Sequence, residues 1–267
     1  MDRIRVCIAG ATGWVGRALV PAVLNSGDLI LTGAVSRKAS GRRVSEIFGI
    51  RGNETVASGS VQDALLNGAD VMIDYTSPSA VKRNVLEAIQ KGVNVVIGTS
   101  GLTDQDYDEI NRAALEKGIG VFAAGNFSIS ATLVLHFSEI AAKYMKSWEI
   151  LDFGSENKID SPSGTALEMA HRISSQRKPS ITVPLSETTG FRESRGATVN
   201  GIQIHSVRIP GHVLGVSVEF GSPDERLSLS FDAGSGPEPY LEGTLLAVRK
   251  VINMKGLTRG MDRLLNL

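Results

Sequence analysis

The stretch GSENKIDSPSGTA, residues 154–166, gathers residue types suited to holding an anion. Lys158 offers a positive charge, and Asp160 follows two places on. Pro162 then precedes Ser163-Gly164-Thr165 and the apolar-periodic run ALEMAHRI, the signature of a helix start. Free N–H groups and hydroxyls at such a start receive a carboxylate. Lys158, Ser163, Gly164 and Thr165 thus read as a grip for a small anion. A plain capped helix beside a surface lysine would use the same residues, so the neighbouring segments decide.

A second constellation lies near the N-terminus. Gly10-Ala11-Thr12-Gly13-Trp14-Val15-Gly16-Arg17 is a GxxGxxG turn between a strand-like run and a helix-like run. Glycines there let the backbone turn tightly and approach a pyrophosphate, whose charge the helix N-terminus favours. The next apolar run ends in Ala34-Val35-Ser36-Arg37-Lys38, and Arg42-Arg43 follow. An acid at this place suits the ribose hydroxyls of NAD, whereas a base suits a 2′-phosphate. No carboxylate lies in the segment, so the expectation is NADPH in preference to NADH, read first by Arg37 and then by Lys38.

Both sites need elements to position them. Short apolar runs at 3–9, 29–35, 71–75, 94–98 and 119–125 alternate with helical patterns at 14–26, 78–91 and 103–117. This predicts an α/β domain, a Rossmann-like doubly wound parallel sheet covered on both faces. The rhythm changes near residue 128. A long helix, ISATLVLHFSEIAAKYMKS, precedes strand-like runs at 148–156, 201–211, 212–221 and 226–234, several with period-two alternation. Residues 176–199 read as a long loop, and a helix at 239–253 leads into an amphipathic tail. The expected division is a dinucleotide domain over 1–127, completed by 238–267, and an α+β substrate domain with an open mixed or antiparallel sheet over 128–237.

Composition excludes several classes. Lys plus Arg and Asp plus Glu balance at 28 each, so no net field points to nucleic acid or a membrane surface. MDRIRVCIAG enters a strand at once, which predicts no signal peptide and a cytoplasmic protein. A single cysteine precludes an internal disulfide and a cysteine-based metal cluster, and no metal constellation is read. A short-chain dehydrogenase needs YxxxK, and none of Tyr75, Tyr107, Tyr144 and Tyr240 has lysine four places on. Acyl-phosphate reductases need a cysteine nucleophile, but Cys7 lies inside the first strand as a small core residue.

Taken together, these segments resemble the dihydrodipicolinate reductase family, nearly end to end. The glycine turn is similar to the family's. Asp74-Tyr75-Thr76-Ser77-Pro78 resembles a D-F/Y-T-x-P segment, and Gly98-Thr99-Ser100-Gly101 a GTTG. Ala124-Gly125-Asn126-Phe127-Ser128 resembles A-x-N-F-S, Lys158–Ala166 matches K-x-D-x-PSGTA, and Gly256–Leu264 resembles G-L-x-x-M-x-x-x-L. The resemblance implies that Gly10–Arg17 cradle the pyrophosphate, and that Thr76, Gly98, Thr99 and the 124–127 turn, with Asn126 and Phe127, line the path to the nicotinamide. It implies that Lys158, Ser163, Gly164 and Thr165 bind a cyclic dicarboxylate. It also implies reduction of an imine ring by hydride in lysine biosynthesis, and a tetramer joined through the open sheet.

The family pattern breaks in one place. It sets an acidic residue and a histidine pair just before the lysine, the first histidine serving as general acid. Here those positions read Asp152-Phe153-Gly154-Ser155, and a later family arginine is absent near Gly234-Ser235-Gly236. General acid catalysis contributes about 10²–10⁴-fold, so Lys158 or an ordered water must take the role, or the substrate is another cyclic imine, or the chain only binds NADPH. His136, His171, His205 and His212 all read as structural, and Asp160 as orienting the lysine or capping the helix.

Overall fold

A computed structural model describes residues 2–267, which divide into two compact units: the chain up to Ile129 together with Pro237–Leu267, and Ser130–Gly236.

The first unit is built on seven parallel strands: β1 (Ile4–Ala9), β2 (Leu29–Val35), β3 (Ala57–Ser58), β4 (Val71–Asp74), β5 (Asn94–Ile97), β6 (Gly120–Ala123) and β12 (Gly256–Arg259). Their order is β12-β6-β5-β4-β1-β2-β3. The chain therefore leaves β1 toward one edge, returns, and builds toward the other from β4. The resulting crevice lies at the C-terminal end of β1, the place where such sheets bind ligands. Helices α1 (Gly16–Asn25), α2 (Val44–Phe48), α3 (Val61–Ala64), α4 (Val81–Gln90), α5 (Asp104–Lys117), α8 (Leu241–Val251) and α9 (Met261–Leu265) accompany the sheet. Strands buried on both faces explain the unbroken apolar runs, because Val6, Ile8 and Val96 pack into one core while Cys7, Val95 and Ile97 pack into the other. Helix α5 starts at a reciprocal Thr103–Asp106 capping box and stops at left-handed Gly118.

The five strands expected here are all present. Two more escaped the pattern: β3 is only two residues long, and β12 lies in the supposed amphipathic tail, paired in parallel with β6. Helix α8 buries Leu245, Val248 and Val251 in the same core as Val6 and Ile8.

The second unit contains α6 (Ile129–Tyr144), β7 (Ser147–Gly154), α7 (Gly164–Gln176), β8 (Ala197–Val199), β9 (Ile202–Arg208), β10 (Leu214–Ser222) and β11 (Glu225–Ala233). The sheet order is β11-β10-β7-β9-β8, with only β7 and β9 parallel. Along β7 burial alternates strictly, so Trp148, Ile150 and Asp152 share one face. Trp148 and Ile150 join Met169 and Ile173 of α7 and Val218 and Phe220 of β10 in the core. The expected loop over 176–199 is not structureless: it holds two short 3₁₀ turns, Leu185–Glu187 and Arg192–Arg195, and ends in β8. Its polar sequence hides these because three or four residues make only about one 3₁₀ turn, too little for a repeat to show.

Candidate active site

Within the first unit the glycine turn is held by sterics. Gly10 adopts φ 84°, and a Cβ there would collide with the Tyr75 carbonyl oxygen. A Cβ on Gly16 would collide with the carbonyl of Gly10. The Gly10 and Ala11 amides donate to Val35 O at 3.1 and 3.0 Å, tying the turn to the end of β2. Thr12 Oγ1 lies 2.7 Å from Ser36 Oγ, and Arg17 Nε donates to Thr12 O at 3.0 Å. Among the described residues, the amides of Thr12, Trp14 and Val15 have no backbone acceptor.

The floor beside this turn is organised by Asp74, at the C-terminal end of β4 and wholly withdrawn from solvent. Its Oδ1 accepts from Thr99 Oγ1 at 2.6 Å and Thr76 Oγ1 at 2.7 Å, and its Oδ2 from Asn84 Nδ2 at 2.9 Å. Burial pushes the carboxyl above its usual range, while the bonds from Thr99, Asn84 and Thr76 pull the other way. Gly98 serves the neighbouring Tyr75, since a Cβ at 98 would strike the tyrosine ring. Burial raises the Tyr75 phenol well above its ordinary value, and its OH lies 2.9 Å from Thr244 Oγ1.

A groove of about 510 Å³ runs over this floor. Of the residues expected to hold the dinucleotide, it is lined by Gly10, Thr12, Gly13, Arg37, Lys38 and Thr76. Ala11, Val15 and Gly16 are buried in the turn, and Thr99 bonds to Asp74 from beneath. The Trp14 ring packs edge-on against Tyr240 with centroids 5.7 Å apart. Phe127 is buried, its ring against Phe122 and Tyr75, and Asn126 Oδ1 accepts from Ser128 N at 2.8 Å. These last two hold the turn rather than line the groove. Sequence reasoning missed Asp74, Ser36, Arg83 and Glu87. For the last two a signal existed, since Asn84, Arg83 and Glu87 fall at helical spacing behind Thr76.

In the second unit one hydrogen-bonded chain joins the residues of the opening stretch. Lys158 Nζ pairs with Asp160 Oδ1 at 2.7 Å. The Asp160 carbonyl accepts from Arg208 Nη2 at 2.8 Å, and the same Nη2 lies 2.7 Å from Asp152 Oδ2. That oxygen also accepts from the Ser163 amide at 2.8 Å and Ser206 Oγ at 3.0 Å. Burial pushes the Asp152 carboxyl up, but the bonds from Ser163, Arg208 and Ser206 outweigh it and leave it below the usual carboxylate range. The Lys158 partnership likewise lowers Asp160.

Ser163 caps α7, its Oγ accepting from Ala166 N at 3.2 Å, and it is buried. Its hydroxyl is thus engaged by its own helix. Gly164 and Thr165, at the first helical positions, keep amides with no intrahelical acceptor. A cation and a helix N-terminus tied into one network can hold a small carboxylate.

The four histidines are engaged elsewhere: His205 Nε2 with Glu149 at 2.6 Å, His171 Nδ1 with Asn200 at 2.8 Å, His212 stacked on Phe153 at 4.9 Å, and His136 tilted on Phe137 at 6.1 Å. At Gly154 a Cβ would come within 2.8 Å of Lys158 Cδ and 3.2 Å of Arg208 Cδ.

Comparison with known proteins places this geometry. The family description "Dihydrodipicolinate reductase, N-terminus" matches residues 4–127, and "Dihydrodipicolinate reductase, C-terminus" matches residues 130–265. The chain belongs to the dihydrodipicolinate reductase family. A 4-hydroxy-tetrahydrodipicolinate reductase of Desulfitobacterium hafniense is 38% identical over 99% of this chain and 100% of its own length. One from Moorella thermoacetica is 34% identical over 98% of each. A solved dihydrodipicolinate reductase from Paenisporosarcina sp. TG-14, with dipicolinate bound, has a TM-score of 0.87, is 29% identical, and covers 98% of this chain and 99% of that one.

Membership of the dihydrodipicolinate reductase family makes the chain an oxidoreductase and implies a dinucleotide of the NAD(P)H type. The first unit fits such a group. Its glycine turn presents unpartnered amides at the start of α1, and the groove beside it opens on Arg37 and Lys38.

Proposed function

We propose that this chain reduces dihydrodipicolinate, or its hydrated 4-hydroxy form with loss of water, to tetrahydrodipicolinate in lysine and diaminopimelate biosynthesis, with NADPH preferred over NADH. The observation that carries the substrate reading is the chain from Lys158 through Asp160, Arg208 and Asp152 to the Ser163 turn. It sets an ammonium and the Gly164 and Thr165 amides to receive the carboxylates of a small ring. Bound NADPH supplies a hydride. The Lys158 ammonium, held by Asp160, is the proton source in this reading.

Arg37 and Lys38 support the NADPH preference, because the lined groove offers two cations where an NAD site sets a carboxylate. A tetramer formed through the open face of the second unit's sheet agrees with a hollow of about 920 Å³ there, walled by Leu151, Ile181 and Val183. No helix among the described residues is long and apolar enough to cross a membrane. A cytoplasmic enzyme is the reading that goes with this.

The deciding experiment follows NADPH oxidation with dihydrodipicolinate made fresh from pyruvate and aspartate semialdehyde. Turnover on the order of 1 per second or faster is expected. No turnover with NADPH still bound would move the assignment to a different cyclic imine. Gly154 and Ser155 favour that second reading, since neither side chain offers the general acid of the family pattern. A chain that bound NADPH and reduced no imine would be a binding protein only.

A further inference from the structure

Helix α4 and its N-cap turn Ala80, Arg83, Asn84 and Glu87 toward the groove of the first unit. The spacing is that of one helical face. Asn84 is already engaged by Asp74 at 2.9 Å, and Ala80 is small. Arg83 and Glu87 remain. Their closest approach is 3.8 Å, longer than a charge-assisted hydrogen bond, and the Arg83 side chain is 75% exposed. They form only a long i,i+4 ion pair at the surface, of a kind worth little, which a bound base can displace.

Gly59, Ser60 and Val61 also line the groove and carry no ionisable side chain. Arg37 and Lys38 follow the end of β2, where the ribose end of a dinucleotide is held. The base of that nucleotide must lie beyond the ribose. The α4 wall offers a planar cation and a carboxylate one helical turn apart. A guanidinium plane stacks on an aromatic face, and a carboxylate accepts from an exocyclic amine.

We propose that Arg83 and Glu87 form the base-reading wall of this groove: Arg83 stacks on adenine, and Glu87 accepts a hydrogen bond from its 6-amino group. This rests on reading the groove as the NADPH site. It goes further in assigning base selectivity, because hypoxanthine would turn a carbonyl oxygen toward the Glu87 carboxylate.

The test is fluorescence titration of the full chain with NADPH, NADH and the hypoxanthine analogue of NADPH. Wild type is expected to bind NADPH about tenfold or more tighter than the analogue, the worth of a hydrogen bond to a charged group, and Glu87→Ala is expected to abolish that ratio. Arg83→Ala is expected to weaken NADPH and NADH equally, by about 3- to 30-fold. Arg83→Lys is expected to stay weakened, since an ammonium has no stacking plane. Equal wild-type affinity for the adenine and hypoxanthine cofactors would overturn the Glu87 role. A loss confined to NADPH would make Arg83 a reader of the 2′-phosphate and overturn the stacking role, as would no loss at all. If wild type bound neither NADPH nor NADH, the cofactor reading itself would fall. If it bound NADPH and the α4 variants changed nothing, only this inference would fall.

Discussion

Arg208 Nη2 lies 2.7 Å from Asp152 Oδ2, and Asp152 is wholly buried while the arginine side chain is 15% exposed. The pair bolts the end of β9 to the end of β7, and through the Asp160 carbonyl it fixes the segment that carries Lys158. A charge removed from such a pair leaves its partner stranded out of water. Asp152→Ala is expected to destabilise the second unit by about 3–5 kcal/mol at neutral pH, measured by urea unfolding. The folded carboxyl titrates below its usual range. Its stabilising contribution is therefore complete above the unfolded value of about 3.9 and is lost as pH falls through the lower folded value. The gap between wild type and variant should narrow below about pH 4, and a gap constant down to the acid transition would contradict the assignment.

Lys158→Ala removes the cation that pairs with the Asp160 carboxylate in the anion grip. The expected outcome is a rise in substrate KM of roughly tenfold or more, as for a lost hydrogen bond to a charged group, together with a fall in kcat of about 10²–10⁴-fold, because the same ammonium is the proposed proton source. NADPH affinity should be nearly unchanged. Loss of NADPH binding in a titration would mean that Lys158 belongs to the dinucleotide site instead.

Arg37→Ala is expected to weaken NADPH by roughly tenfold and NADH little, because only the former carries the 2′-phosphate. Equal losses for both cofactors would sink the role given to this arginine.

Gly154→His restores a side chain at the place where the family resemblance sets a histidine. Its Cβ would arrive 2.8 Å from Lys158 Cδ and 3.2 Å from Arg208 Cδ, so one of the two must move. The substitution is expected to raise KM rather than kcat. A higher kcat with KM unchanged would show that the site lacks only the acid.

Gly98→Ala drives a methyl group into the Tyr75 ring. Overpacking of this kind costs about 1–3 kcal/mol. The Tyr75–Thr244 contact at 2.9 Å should go with it. Chemical denaturation and NADPH titration together check this, and an unperturbed variant would mean that the tyrosine ring has room to tilt away.

The sequence alone determined the elements whose periodicity is long enough to see. Buried parallel strands such as Val71–Asp74 announce themselves as apolar runs, and β7 does so by strict alternation. It also determined the glycine turn, since Gly10 and Gly16 have no room for a Cβ, and the Lys158–Ala166 motif, whose members are near neighbours along the chain. Strands β3 and β12 were not legible, because β3 is two residues long, the Gly256–Arg259 sequence of β12 is not an apolar run, and their pairing partners are remote. Tertiary structure alone decided which polar groups meet. Asp152 and Arg208 stand 56 positions apart, and Asp74 and Thr99 stand 25 apart, yet each pair shares a short hydrogen bond. A lone Asp inside an apolar strand has no local pattern that names its partner. Only the register of β7 against β9 and of β4 against β5 brings those partners within reach.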